Sequence, residues 1–162
     1  MVQLAWLVFD EHGNEVHAAN HIIKPDGFTI PGDLAKIHGI TTKRAMAEGV
    51  PLNQVLDEFS AACNKAGVLV AHNLSFDEKI VGSELLRAGY KNILIRKKRV
   101  CKMESSTNFC KIPGKYGYKW PRLSELHQKL FGTDFEEAHN ASADIAATAR
   151  CFWELRKRGV VR

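Results

Sequence analysis

A chain of 162 residues that is 45% hydrophobic and 25% charged has room for one soluble globular domain with a single sizeable core, and hardly for two. The net charge of +5 is modest, yet between Lys91 and Arg122 ten Lys or Arg residues face one acid, Glu104, a local balance of +9 that leaves the rest of the chain at −4. The four cysteines, Cys63, Cys101, Cys110 and Cys151, form no C-x-x-C pair, which argues against a zinc site and for the reduced thiols of a cytoplasmic protein.

In chain order, residues 2–9 and about 15–24 read as two strands around Asp10-Glu11-His12-Gly13-Asn14, whose Gly-Asn step supplies hairpin turn chemistry. The first run follows no basic region, is interrupted by Gln3 and is far shorter than a membrane span, so no export signal and no membrane partner are expected. Pro31-Gly32-Asp33 opens a short helix that Gly39 closes, and Thr41 or Thr42 caps another turn. From Pro51, the apolar residues Leu52, Val55, Leu56, Phe59, Ala62 and Cys63 recur at helical spacing, which makes Cys63 a core residue.

Val68 to Ala71 is a short apolar run that stops at His72-Asn73, as a buried strand does on reaching a sheet edge. Ser75 and Glu78 then suggest an S-x-x-E capping box for a helix that buries Ile80, Val81, Leu85 and Ala88 and ends at Gly89, placing Asp77 in its first turn. Val100 to Met103 reads as a last strand and Pro113 to Pro121 as a loop alternating basic and aromatic residues. Helices are expected over Arg122 to Phe131, with Leu123, Leu126 and Leu130 inward, and from about Asn140 to Arg158. Strands alternating with helices after a hairpin indicate an α/β domain with a mixed sheet, and neither repeats nor low-complexity linkers occur.

The basic run suggests one electropositive face that would concentrate a polyanion, against the plainer reading of a solvated loop. Tyr116, Tyr118 and Trp120, interleaved with Lys115 and Lys119, have the character of a stacking and phosphate surface for single-stranded nucleic acid.

Asp77 and Asp144 each open a helix, and a His-Asn pair precedes each: His72-Asn73 and His139-Asn140. One Asp near a helix N-terminus usually serves the helix dipole, worth a few tenths to about 1 kcal/mol. The combined spacing, H-N-x-x-F-D after a buried strand and later H-x-A-x-x-D opening a helix, goes beyond that. His72 to Asp77 resembles the second motif of the DEDD superfamily of 3′-to-5′ exonucleases. His139 to Asp144 resembles the third motif of its histidine branch (DEDDh), which includes the proofreading epsilon subunit of bacterial DNA polymerase III and ribonuclease T. Ile30-Pro31 through Ala35, His38 to Thr41, and Tyr118 to Leu123 are similar to further family segments, so the resemblance covers nearly the whole chain.

The resemblance implies a ribonuclease H-like mixed β-sheet flanked by helices and hydrolysis of phosphodiester bonds at 3′ ends of single-stranded DNA or RNA. It also implies two divalent cations, Mg2+ or Mn2+, one activating a water and one stabilising the departing 3′ oxygen. Hard cations take oxygen ligands, and by resemblance Asp77 and Asp144 would be metal ligands while His139 takes the proton of the attacking water. In a helix His139 and Asp144 would point about 140° apart, so His139 is expected on the preceding loop. His38, Ile40, Asn73 and Phe76 carry over as substrate-binding positions, with capping for Asn73 and core packing for Phe76 as equal alternatives. His72 reads as a hydrogen-bonded structural histidine, Trp6 and Trp153 as core, and His12, His17, His21 and His127 as surface residues. A polymerase or a second copy of the chain is a possible further partner.

The family's first motif, an Asp-x-Glu on the strand before the hairpin, is absent. Asp10-Glu11, Asp57-Glu58 and Asp77-Glu78 are adjacent pairs, whose side chains would point to opposite faces of a strand. The expectation is therefore one domain over residues 1–162, truncated at its N-terminus and lacking its first, central strand, with impaired turnover because two dications would meet only two protein carboxylates. Rival readings are a non-catalytic nucleic-acid-binding module on the same fold and a protein-interaction domain with vestigial motifs.

Overall fold

The computed structural model describes residues 1–133 and 141–161. It opens with the antiparallel hairpin of β1 (Gln3–Phe9) and β2 (Glu15–Ile22), paired from Gln3 against Ile22 to Phe9 against Glu15 with an irregularity at Val8/Phe9. Asp10 builds the turn: its Oδ1 accepts the backbone N–H groups of His12 at 2.9 Å and Asn14 at 2.8 Å, and its Oδ2 accepts the Asn14 side-chain amide. Those donors hold the Asp10 carboxyl below the usual carboxylate range. Gly13 has φ +89° and faces the Trp153 ring, where a Cβ would sit 3.4 Å from the nearest ring carbon.

Helix α1 (Gly32–His38) ends on Gly39 in the left-handed region, and Thr41 caps α2 (Thr42–Glu48) by accepting the Arg44 N–H at 3.1 Å. A parallel bridge joins Ile23 to Val50 before α3 (Leu52–Lys65). Then follow β3 (Val68–Ala71), α4 (Leu74–Arg87), a 3-10 turn at Leu94–Arg96 and β4 (Lys98–Cys101). β4 begins two residues earlier than expected and pairs in parallel with β3, from Val68 against Lys98 to Ala71 against Cys101. Two short helices the sequence does not announce, α5 (Lys102–Ser105) and α6 (Thr107–Cys110), lead to β5 (Pro113–Gly114) and β6 (Gly117–Tyr118), so the expected loop is a tight hairpin. The last elements are α7 (Leu123–Phe131) and α8 (Ala141–Lys157).

This is the expected mixed α/β arrangement, with antiparallel and parallel strand pairs flanked by helices. Among the described residues each sheet has two strands, so β1 pairs only with β2 and β3 only with β4. Side chains span the interval between them. Leu56, Cys63, Val81, Leu85 and Leu94 form one cluster, against which Met1 and Leu4 of the hairpin and Leu69 of β3 pack. A second cluster, with Val100, Leu126, Leu130, Cys151 and Leu155, joins β4, α7 and α8. Leu85 is completely buried, and Leu85→Ala is expected to destabilise the fold by about 2–5 kcal/mol, read as a lower urea midpoint at unchanged m-value.

Several sequence expectations are corrected. Ile80, expected on the buried face of α4, is 39% exposed, and Val68, which opens the strand expected to be buried, is 38% exposed. His127 is buried at 2% exposure, with Nδ1 2.7 Å from the Thr133 carbonyl, because it shares the inward stripe of α7 with Leu123, Leu126 and Leu130. His17 and His21 are not isolated surface groups, since their Nε2 atoms lie 3.3 and 2.7 Å from the two carboxylate oxygens of Glu58, tying β2 to α3 beside Trp6. The S-x-x-E capping box does not form, because α4 starts at Leu74 and leaves Ser75 inside the helix, while Glu78 turns to Arg99 at 3.3 Å.

Candidate active site

The apolar β3 delivers the chain to His72 and Asn73, and α4 begins at the next residue, so Asp77 falls in its first turn. Asn73 occupies the N-cap position without a side-chain cap bond. The Asp77 side chain opens to solvent, yet surrounding protein displaces enough water to push its pKa up to about 6, and among the described residues no cationic side chain offsets that cost. Only a hydrogen bond from its own backbone N–H pulls the other way. A carboxylate so placed gains most from a metal cation, which would supply the missing positive charge.

Behind Asp77 lies a junction of three elements. His72 Nε2 lies 3.0 Å from the Pro121 carbonyl, so Nε2 carries the proton and donates. Burial first, and the nearby Lys102 charge second, depress the His72 pKa to about 4, so the ring is neutral with Nδ1 an acceptor that is buried and has no partner among the described residues. The His72 carbonyl accepts the Met103 N–H at 2.9 Å. Lys102 itself is fully buried, and its Nζ donates at 2.7 Å to the carbonyl of Thr148, one turn beyond Asp144 on α8. Burial pushes the Lys102 pKa down to about 7. Lys102 thus ties the strand end that leads to Asp77 to the helix that carries Asp144. A charged residue two positions beyond buried Val100, on the same face of an extended segment, was the one sequence sign of it.

Asp144 lies in the first turn of α8 and is partly buried. His139 lies outside the described residues. Phe76 is 60% exposed, so it does not fill the core, and Asn73 is exposed beside it. His38 accepts the Ile40 N–H on Nδ1 at 3.1 Å, while Ile40 is 1% exposed and packs with Ile30 and Ala45. Ile40 therefore braces the segment from within.

The basic run is partly spent on structure. Lys97 closes α3 through the carbonyls of Asn64 and Ala66, Arg99 pairs with Glu78, Lys119 with Glu125, and Lys102 is internal. Lys98, Lys111, Lys115 and Arg122 remain exposed. A concavity of about 510 Å³ between β1 and α8 is lined by residues such as Phe9 and Trp153 and includes neither Asp77 nor Asp144.

Asp77 and Asp144 suit a hard divalent cation as oxygen ligands. Among the described residues no group of three or more His, Cys, Asp or Glu is placed to hold a metal ion.

A family model described as Exonuclease matches residues 1–152. Comparison with curated proteins finds no match. Similar solved structures include E. coli exonuclease I in complex with a dA16 oligonucleotide, at a TM-score of 0.78 and 20% identity over 97% of this chain and 37% of that one. A zinc-bound E. coli exonuclease I complex with single-stranded DNA matches at 0.79 and 20% identity over 97% and 36%. A complex of the same enzyme with a 5cy-dT13 oligonucleotide matches at 0.77 and 19% identity over 97% and 36%. The chain thus spans a little over a third of the length of the exonuclease I chains whose fold it shares.

Proposed function

The chain belongs to the Exonuclease family, and from that membership we propose that it removes nucleotides from 3′ ends of single-stranded DNA or RNA as a member of the histidine (DEDDh) branch. The observation that carries this reading is Asp77, a desolvated carboxylate without a cationic neighbour among the described residues, at the strand-to-helix junction where the superfamily's second motif falls. The likeness to exonuclease I structures containing single-stranded oligonucleotides supports it. Four free cysteines agree with a cytoplasmic setting.

In this reading Asp77 and Asp144 would hold a divalent cation, Mg2+ or Mn2+, which when bound would supply the positive charge that activates an attacking water and favours departure of the 3′ oxygen. His139 accepts the proton of that water, and Phe76 and Asn73, exposed at the mouth of the site, take the terminal nucleotide. The neutral His72 holds the loop before α7 against the strand end. With two protein carboxylates as ligands turnover would be slow, and a neighbouring strand bearing an Asp-x-Glu pair beside β1, which among the described residues pairs only with β2, would complete the shell.

The test is manganese-dependent shortening of a 3′-overhang oligonucleotide labelled at its 5′ end, for this chain, its His139→Ala variant and a form carrying such a strand ahead of residue 1. Shortening that falls about 10²- to 10⁴-fold in His139→Ala is expected, whether seen in this chain or only in the extended form. Oligonucleotide binding without cleavage in every form would instead establish a non-catalytic binding module, the reading favoured by the lack of a three-donor cluster among the described residues.

A further inference from the structure

We propose that the β5–β6 hairpin and the segment running to Pro121 form a stacking platform for single-stranded nucleic acid, fixed beside the catalytic carboxylates. Its position relative to a reaction rests on the exonuclease reading, but its binding does not.

Three large aromatic side chains lie in this short stretch and none helps fill the core: Tyr116 is 91% exposed, Tyr118 51% and Trp120 61%. The backbone under them is well ordered by hydrogen bonds. Pro113 pairs with Tyr118 and Gly114 with Gly117, and the Lys119 N–H extends the ladder to the Ile112 carbonyl at 2.9 Å. A Cβ at Gly114 would lie 3.1 Å from the Gly117 carbonyl oxygen and from Lys119, so the two arms pack as closely as backbone allows. Lys111, with φ +53°, reverses the chain into the hairpin.

Along an extended segment alternate residues share a face. Lys119 turns to Glu125 of α7, and Tyr118 and Trp120 therefore take the other side, about 7 Å apart along the chain. Tyr116 sits in the turn with the Lys115 ammonium 5.1 Å from its ring centre. Lys111 and Lys115 are exposed and make no ion pair among the described residues, so they add positive charge to the face that carries the rings. Rings that offer flat faces between unpaired cations match bases joined by phosphates better than an apolar protein segment, which would find no use for the charge. The base of the platform is not free to swing, because the Pro121 carbonyl receives the His72 Nε2 hydrogen bond at 3.0 Å, five residues before Asp77. Nucleic acid lying on the hairpin is consequently held at a constant distance from the carboxylates.

The experiment measures binding in EDTA, so that no cleavage intervenes, to 5′-labelled oligothymidylate and oligouridylate by anisotropy, with tryptophan emission followed in parallel. Trp120 is the exposed indole, while Trp6 is buried and Trp153 packs against Phe9 and Phe152, so ring stacking should quench it. Each of Tyr118→Ala and Trp120→Ala should weaken binding about 5-fold or more, the loss of one base–aromatic stack. Lys111→Ala with Lys115→Ala should flatten the salt dependence by about 1.4 units of log slope while the aromatic variants leave that slope alone. Comparison of the two oligonucleotides identifies whether DNA or RNA is the better occupant. Unchanged affinity in a triple aromatic variant that keeps the wild-type melting temperature would overturn the proposal and leave the face to a protein partner. Hairpin-dependent binding in a chain that never cleaves would sink the exonuclease reading and keep the platform, whereas cleavage with hairpin-independent binding would do the reverse.

Discussion

Asp77→Asn is expected to lower metal-dependent cleavage by at least about a hundredfold, the scale of loss seen when even outer partners of a metal site are removed. The same substitution should leave the metal-free protein as stable as before, or slightly more so. The Asp77 pKa of about 6 lies above the ordinary value of 3.8, so the folded protein holds this proton more tightly than the unfolded chain does. Its contribution to stability is complete below pH 3.8 and disappears as pH rises through about 6. Above that range the metal-free fold carries a desolvated carboxylate, and an amide there removes the cost, by no more than about 1 kcal/mol because the side chain remains open to water. Thermal melts across pH with and without Mn2+ measure both effects. A Mn2+-induced rise in melting temperature that survives the substitution would show that Asp77 is not a metal ligand.

Lys102→Met should raise stability near neutral pH by about 1–4 kcal/mol, an unusual sign for a fully buried position. Two effects compete. The hydrogen bond to the Thr148 carbonyl is worth about 1.5–3 kcal/mol when the donor is charged. Against it stands the fall in pKa from 10.5 to about 7, each unit of which is worth about 1.4 kcal/mol between the protonation states. Because the folded state binds this proton less tightly, the contribution of Lys102 is complete above pH 10.5 and is lost as pH falls through about 7. Methionine, similar in length and without charge, removes this slope, so urea midpoints of the variant should cease to climb between those values. His72 should respond as well: loss of the Lys102 charge raises its pKa from about 4, while burial, the larger cause, keeps it below 6.5, which imidazole NMR signals would follow. A variant less stable than the parent at every pH would mean that the ammonium contributes net stability.

Much of the framework was legible in the residue pattern because it depends on neighbours in the chain. The Asp10 turn, the Gly39 helix end and the inward stripe of α3 are local matters of turn chemistry and periodicity, and they appear within a residue or two of their expected places. So does Asp77, since an apolar strand followed at once by a helix leaves little choice of where the first turn begins. The misreadings share the opposite character. His17 and His21 have no meaningful spacing with Glu58, which the fold brings to them from 37 residues away in the case of His21. Ser75 and Glu78 carry the letters of a capping box, but helix α4 starts at Leu74, two residues too early for them to use it.

The basic run shows the division most clearly. Composition established ten cations and a positive region, but only packing determined that Lys102 is internal, that Lys97 closes a helix and that Lys111 and Lys115 remain available beside three exposed rings. Sequence by itself determined the family motifs, the alternation of strands and helices and the kinds of chemistry those residues could support. Tertiary structure alone decided which charges face water, because desolvation and pairing depend on atoms that meet only when distant segments pack together.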